Sequence, residues 1–223
     1  MGVRLFRWSL VAVILGFWIT MFHSGDRTIG VSSELSNGNY RLVAGTRPQY
    51  LTLALLVVIA YVALMKVTIP PSTRPVQGVV RRLLAFLLDF MLALMPMGSV
   101  LGLIPVLVEW KRTGRFAWVF ERNMPTPSDD LIANIGVSMC FILLFLYFLV
   151  PLIRRRPSPG TCILGYQIIV DPGQSFTLGK AAARIFLGCI AVGFWPVTPF
   201  IGRERQVGKI WIDRVCSTRA VEL

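Results

Sequence analysis

Long apolar runs separated by short polar or basic stretches set the pattern of this chain. Residues 1–22, 49–69, 79–108 and 131–153 are four such runs, nearly free of charge inside. Each is long enough for a membrane-spanning helix of about 20 residues, and the third is longer than a span needs. A fifth run, residues 185–201, is barely long enough to span and carries Gly188, Gly193, Pro196 and Pro199. Between the fourth and fifth runs the period changes. Residues 163–170 are apolar and β-branched, Asp171, Pro172, Gly173 and Gln174 suit a type II turn, and residues 175–178 follow. This predicts a short β-hairpin, with Thr177 placed to cap the next helix.

The expected fold is an all-α integral membrane protein of about five hydrophobic helical segments, plus a short cytoplasmic β-hairpin. Basic residues flank the runs: Arg4 and Arg7 before the first, Arg154, Arg155 and Arg156 after the fourth. The positive-inside bias puts these flanks, and the N-terminus, in the cytoplasm. No small-x-small cleavage site follows the first run, so it reads as an uncleaved helix rather than a signal peptide. Residues 23–48 are polar and read as an external loop. The third run holds Pro96, Pro105, Gly98 and Gly102 in its outer half, which predicts a kink or a break there. Residues 109–130 carry Trp110, Phe116, Trp118 and Phe120. Such aromatics suit a segment at the membrane interface or a folded-back loop. The fifth run has basic residues on both sides, among them Lys180, Arg184, Arg203, Arg205 and Lys209. Both flanks belong on the cytoplasmic side, and a re-entrant or broken segment satisfies that. The division follows: an N-terminal transmembrane hairpin (1–69), a proline-rich linker (70–78) and a second membrane domain (79–223).

Composition agrees. Of 223 residues 55% are hydrophobic and 15% charged, against roughly 25% charged in a soluble domain. The formal net charge is +12. The basic residues cluster beside apolar runs, which argues for anionic lipid at the cytoplasmic face and against nucleic acid. The four cysteines form no CxxC pair and the single histidine is His23. No metal site, cofactor or disulfide framework is read from them. Nor is there a nucleophile–base pair or a phosphate loop, so an enzyme is not expected.

The candidate chemistry lies in the third run. Asp89 is an isolated acid in a membrane-length segment, and Arg82 precedes it by seven residues. An intramembrane acid is a functional-site candidate by default. Seven residues put the two about 10 Å apart along a helix, too far for pairing between adjacent turns. Arg82 is therefore expected to snorkel toward lipid phosphate. An ionised Asp at mid-helix costs roughly 2.5–3.5 kcal/mol on insertion scales. Asp89 then needs a partner from another segment, for which Arg184 is the candidate.

Three blocks in order resemble the RDD family, bacterial membrane proteins named for an arginine and two aspartates. The first is Arg82 with Asp89. The second runs from Ser158, Pro159 and Gly160 through Gly165 to Asp171, followed by Arg184. The third is Ile212, Asp213 and onward to Thr218. The resemblance covers residues from about 79 to 220. It departs from the family pattern at Ser158, where threonine is usual, at Thr161, where lysine is usual, and at Ile212, where histidine or glycine is common. It implies a multi-pass protein of the bacterial inner membrane, with Arg82, Asp89, Asp171, Asp213 and Thr218 as motif residues. Transport is the activity usually suggested for the family, of protons or sodium among others. Two readings stand. In one, Asp89 binds an ion or small solute in transit. In the other, Asp89 and Arg184 form a structural pair in a non-catalytic scaffold or accessory subunit, working as a homo-oligomer or in a larger membrane complex.

Overall fold

The computed structural model describes residues 2–23, 30–36, 39–66, 74, 79–123, 127–193 and 209–223. Twelve elements follow in order: α1 (Gly2–His23), β1 (Gly30–Ser36), β2 (Asn39–Gly45), α2 (Pro48–Lys66), α3 (Val79–Thr113), β3 (Val119–Asn123), α4 (Pro127–Ile153), α5 (Pro159–Ile163), β4 (Tyr166–Val170), α6 (Leu178–Gly193), α7 (Trp211–Cys216) and β5 (Thr218–Glu222). Three of the helices hold spans long and apolar enough to cross a membrane: Pro48–Lys66, Val80–Thr113 and Leu131–Ile153. Many of their large apolar side chains point outward, Leu55, Ile59, Ile135 and Phe141 among them. In water that exposure is costly, and in lipid it is the expected face.

The chain packs into two compact units. One comprises Met1–Leu10, Ala60–Leu92 and Phe145–Leu223, the other Val11–Ile59 and Ala93–Leu144.

The second of these holds a three-stranded antiparallel sheet of order β1-β2-β3. Gly30 pairs with Gly45 and Gly45 with Val119. A Cβ on Gly45 would lie 2.6 Å from the Trp118 carbonyl, so the approach of β3 requires glycine there. The expected external loop over 23–48 is thus a β-hairpin within its described part, and the 109–130 segment folds back to add a third strand. Serine, asparagine and glycine hid the strands, because β1 carries few β-branched residues. Phe116 stacks edge-on with Trp110 and Trp118, centroids 5.8 and 4.9 Å away. In the same unit, α2 starts with Pro48 in its first turn, where proline's missing N–H costs nothing. The Ser99 hydroxyl lies 3.0 Å from the Met95 carbonyl and 3.3 Å from that of Tyr50.

Of the kink or break expected in the third run, a break is absent. α3 continues as helix through Pro96 and Pro105 to Thr113. Each proline removes one ladder bond but leaves the remainder, and spanning helices tolerate this where neighbours satisfy the freed groups.

The first unit contains the chain's other sheet, and it corrects the expected hairpin. The turn is right: the Gln174 N–H donates to the Asp171 carbonyl at 3.2 Å, and Gly173 has φ +74°. The pairing is not. β4 pairs antiparallel with β5 at the C-terminus, Tyr166 opposite Glu222 and Val170 opposite Thr218. Residues 175–177 lead instead into α6, where the Thr177 hydroxyl accepts from the Lys180 N–H at 3.3 Å. Ala85, Tyr166 and Ala220 form the buried centre of the unit, packed by Leu164 and Ile168. α6 has 16 residues, about 24 Å, short of a bilayer core of about 30 Å. Five spanning segments are therefore more than the described residues supply. Pro196, Pro199, Arg203, Arg205 and most of the 70–78 linker lie outside the described residues, and the re-entrant question lies there with them.

Candidate functional site

The family-like blocks meet in the first unit, but not as the sequence suggested. Two buried carboxylates stand apart, each with its own set of donors.

Asp213 lies in the first turn of α7 and is fully buried. Its Oδ2 accepts from the Ile210 backbone N–H at 3.2 Å and pairs with Arg82. Its Oδ1 lies 2.7 Å from Arg184 Nη1. Thr218 Oγ1 accepts from Arg184 Nη1 and donates to Asp213 Oδ1 at 3.4 Å. Position three of a helix faces the free N–H groups of the first turn, so an acid there caps the helix while its second oxygen is available elsewhere. One carboxylate thus ties α7 to α3, α6 and the start of β5. Arg82 is buried in this pair and does not reach out toward lipid phosphate, as had been expected. Burial favours pairing of each guanidinium with the acid, although two guanidiniums on one carboxylate leave one positive charge over.

Asp89 does not meet Arg184. Its carboxylate accepts three hydrogen bonds: from Ser158 Oγ at 2.5 Å, from the Gly160 N–H at 2.7 Å and from the Tyr147 hydroxyl at 3.0 Å. Ser158 caps α5, Pro159 occupies its first position, and Gly160 offers an N–H with no helical partner. Asp89 is therefore solvated by dipoles from α4 and α5 rather than by a counter-charge. The approach is close. A Cβ at Gly160 would lie 2.3 Å from the Ala85 carbonyl and 2.7 Å from Asp89 Cγ. Tyr61 extends the network: its hydroxyl donates to the Tyr147 carbonyl at 2.9 Å, and the two rings stack 4.8 Å apart.

The remaining motif positions are peripheral. Asp171 pairs with Lys209 at 2.7 Å and is partly exposed. Arg81 donates from Nε to the Leu164 carbonyl at 2.7 Å and from Nη2 to that of Gly165 at 3.2 Å, closing the end of α5. Sequence reasoning missed Tyr147 and Gly160 as Asp89 ligands. A tyrosine in a spanning helix was the available signal, because its hydroxyl needs a partner when buried.

Between the elements of this unit lies a cavity of about 140 Å³. Arg82, Arg156, Arg184, Asp89, Ser158 and Thr161 supply its polar wall. Leu83, Phe86, Phe148, Leu152 and Ile185 are among its apolar lining. Burial pushes the Tyr166 phenol, also on the wall, above its ordinary range, with Asp89 adding to the effect. Among the described residues no cluster of His, Cys, Asp or Glu has the make-up of a metal site.

No curated protein and no solved structure matches the chain. Comparison at the level of families matches residues 76–214 to the RDD family. That stretch begins just before the Arg82 block, ends just after Asp213, and covers more than half of the chain, so the protein belongs to the RDD family.

Proposed function

We propose that this protein is a non-catalytic scaffold or accessory subunit of the bacterial inner membrane, whose motif charges hold its membrane segments in register. One observation carries this: fully buried Asp213 binds Arg82, Arg184, Thr218 and the Ile210 N–H at once. Such a group joins elements from four parts of the sequence and leaves neither carboxylate oxygen of Asp213 unbonded. In this reading Arg154, Arg155 and Arg156 face the cytoplasm, as does the N-terminus, by the positive-inside bias. Partners are further copies of the chain or other membrane proteins.

The test is compensation. Asp213→Leu alone leaves two buried guanidiniums without a counter-charge and costs about 3–5 kcal/mol. The triple change Arg82→Met, Arg184→Met, Asp213→Leu removes all three charges. The clasp reading expects membrane assembly to be lost in the single variant and largely recovered in the triple one. A triple variant as poorly assembled as the single one sinks it.

A second reading, transport of an ion or small solute, is favoured by the place of Asp89 on the cavity wall. Against its proton or sodium form stand three guanidiniums on the same wall and the three donors already on the carboxylate. Asp89→Asn with unchanged protein level and lost ion flux in vesicles would favour transport over the scaffold.

A further inference from the structure

The cavity beside Asp89 has a composition that neither the clasp nor a cation path requires. Its charged lining is three arginines against one acid. That acid is occupied by Ser158, Gly160 and Tyr147. Both bonds of Arg184 to Asp213 and Thr218 start from Nη1. A guanidinium carries five N–H donors in a planar fork, so Nε and Nη2 of Arg184 remain donors for a ligand. Arginine forks suit phosphate and carboxylate, which they bind bidentately. Apolar lining adjoins the arginine along each helix: Leu83 and Phe86 follow Arg82 on α3, Phe148 and Leu152 precede Arg156 just past the end of α4, and Ile185 and Gly188 follow Arg184 on α6. Phe86 and Phe148 stack with centroids 5.0 Å apart, and Gly188 leaves room over the Phe86 ring, where a Cβ would sit at an ordinary 3.5 Å.

A basic end joined to an apolar end selects an amphiphile. A free anion leaves the apolar lining unfilled, and an uncharged chain leaves the Nε and Nη2 donors of Arg184 unused. We infer that the cavity is a specific binding site for an anionic membrane lipid, its phosphate held by Arg184 and Arg156 and its first carbons lying against Phe86 and Phe148. At about 140 Å³ the space takes the head and a few methylenes, and the rest of the chain stays outside. Basic pockets among membrane helices bind anionic head groups on the same principle. The site shares Arg184 with the clasp but draws on the donors the clasp leaves open, and Asp213 itself is not among the lining residues.

Native mass spectrometry of the purified full-length protein tests it, with phosphatidylglycerol, phosphatidylcholine, hexyl phosphate, butyl phosphate and inorganic phosphate titrated separately. Phosphatidylglycerol is expected to bind at least tenfold more tightly than phosphatidylcholine. Hexyl phosphate is expected to exceed butyl phosphate by about fourfold per added methylene, since each buried methylene contributes about 0.8 kcal/mol. Gly188→Leu, which fills the apolar end, and Arg156→Gln should each weaken phosphatidylglycerol at least tenfold, while Lys111→Gln, outside the cavity, should not. Should Gly188→Leu fail to fold, Ala191→Leu takes its place, since Ala191 also lines the space. Equal binding of the two lipids overturns the inference, as does wild-type affinity in the cavity-filling variant. Inorganic phosphate binding as well as hexyl phosphate would reduce the site to one for simple anions and overturn it too.

Discussion

Gly160→Ala and Gly188→Ala place the same methyl group in the same unit with opposite expected results. At Gly160 the new Cβ would lie 2.3 Å from the Ala85 carbonyl, 2.7 Å from Asp89 Cγ and 2.9 Å from Asp89 Oδ2. Relaxed carbon–oxygen contacts are roughly 3.3 Å or longer, so α5 must move about 1 Å away from α3. The first obstacle is backbone, which no rotamer change relieves. Overpacking of this kind costs about 1–3 kcal/mol. A 1 Å retreat also carries the Gly160 N–H beyond bonding distance of Asp89, from 2.7 Å. A hydrogen bond to a charged group contributes about 1.5–3 kcal/mol. Helix propensity returns at most about 1 kcal/mol. The net expectation is a loss of about 2–5 kcal/mol, or on the order of 10 °C in Tm for a chain of this size. At Gly188 the nearest atom to the new Cβ is 3.5 Å away on the Phe86 ring. Only the propensity gain remains, so Gly188→Ala should hold or slightly raise Tm. Thermal unfolding in mild detergent, followed by size-exclusion chromatography of the heated samples, reads both. A Gly160→Ala protein melting within about 2 °C of wild type would refute the close approach of α5 to α3, and with it the account of how Asp89 is held.

Other outcomes follow from the same geometry. Asp171→Asn should cost under about 1 kcal/mol, because its pair with Lys209 is partly exposed. A Tm fall as large as that of Asp213→Asn would contradict the ranking. Asp213→Asn should be the more damaging of the two buried substitutions for the arginines, and Arg184→Met should partly rescue it while leaving Asp89→Asn unrescued. Equal rescue of both, in assembly measured by membrane-fraction yield, would mean that Arg184 serves Asp89 after all. Cys216 is buried, and burial raises its thiol above the ordinary value, outweighing the lowering by Arg184. The thiolate is the reactive form, so maleimide should label Cys216 slowly at neutral pH in the folded protein and readily after denaturation. Rapid labelling before denaturation would show the α7–β5 corner to be open.

Much of the membrane architecture was legible because it rests on local length and polarity. The spans of α2, α3 and α4 correspond closely to apolar runs, since each must reach about 20 residues whatever it packs against. The type II turn after β4 was legible too, because proline and glycine set its dihedral angles locally. The partner of β4 was not. β5 lies some fifty residues later, and nothing in five residues of sequence encodes which strand pairs with which. The hairpin of β1 and β2 was missed for a related reason: β1 is mostly polar, and its pairing with β2, which pairs in turn with β3, rather than its composition makes it a strand.

The site divides along the same line. The seven-residue spacing correctly separated Arg82 from Asp89, because helix geometry alone decides that. It did not say where each goes. Burial cost argued that Asp89 needs compensation, and a cation looked like the cheapest source. Three oriented dipoles supply it instead, and two of them come from the cap of α5, a five-residue helix too short for periodicity to reveal. Released from Asp89, Arg184 joins Arg82 on Asp213, where one acid in a helical first turn already had an N–H to cap. The departure at Thr161 makes sense here. Its hydroxyl donates to the Ser158 carbonyl at 3.0 Å, and the Ser158 hydroxyl caps α5 while donating to Asp89. A lysine at 161 would bring a fourth cation to a wall that already holds three. Of the three departures, that at Thr161 changes the charge of the cavity wall, that at Ser158 keeps a hydroxyl on Asp89, and Ile212 lines the same cavity beside Asp213, whose bonds to Arg82 and Arg184 are present.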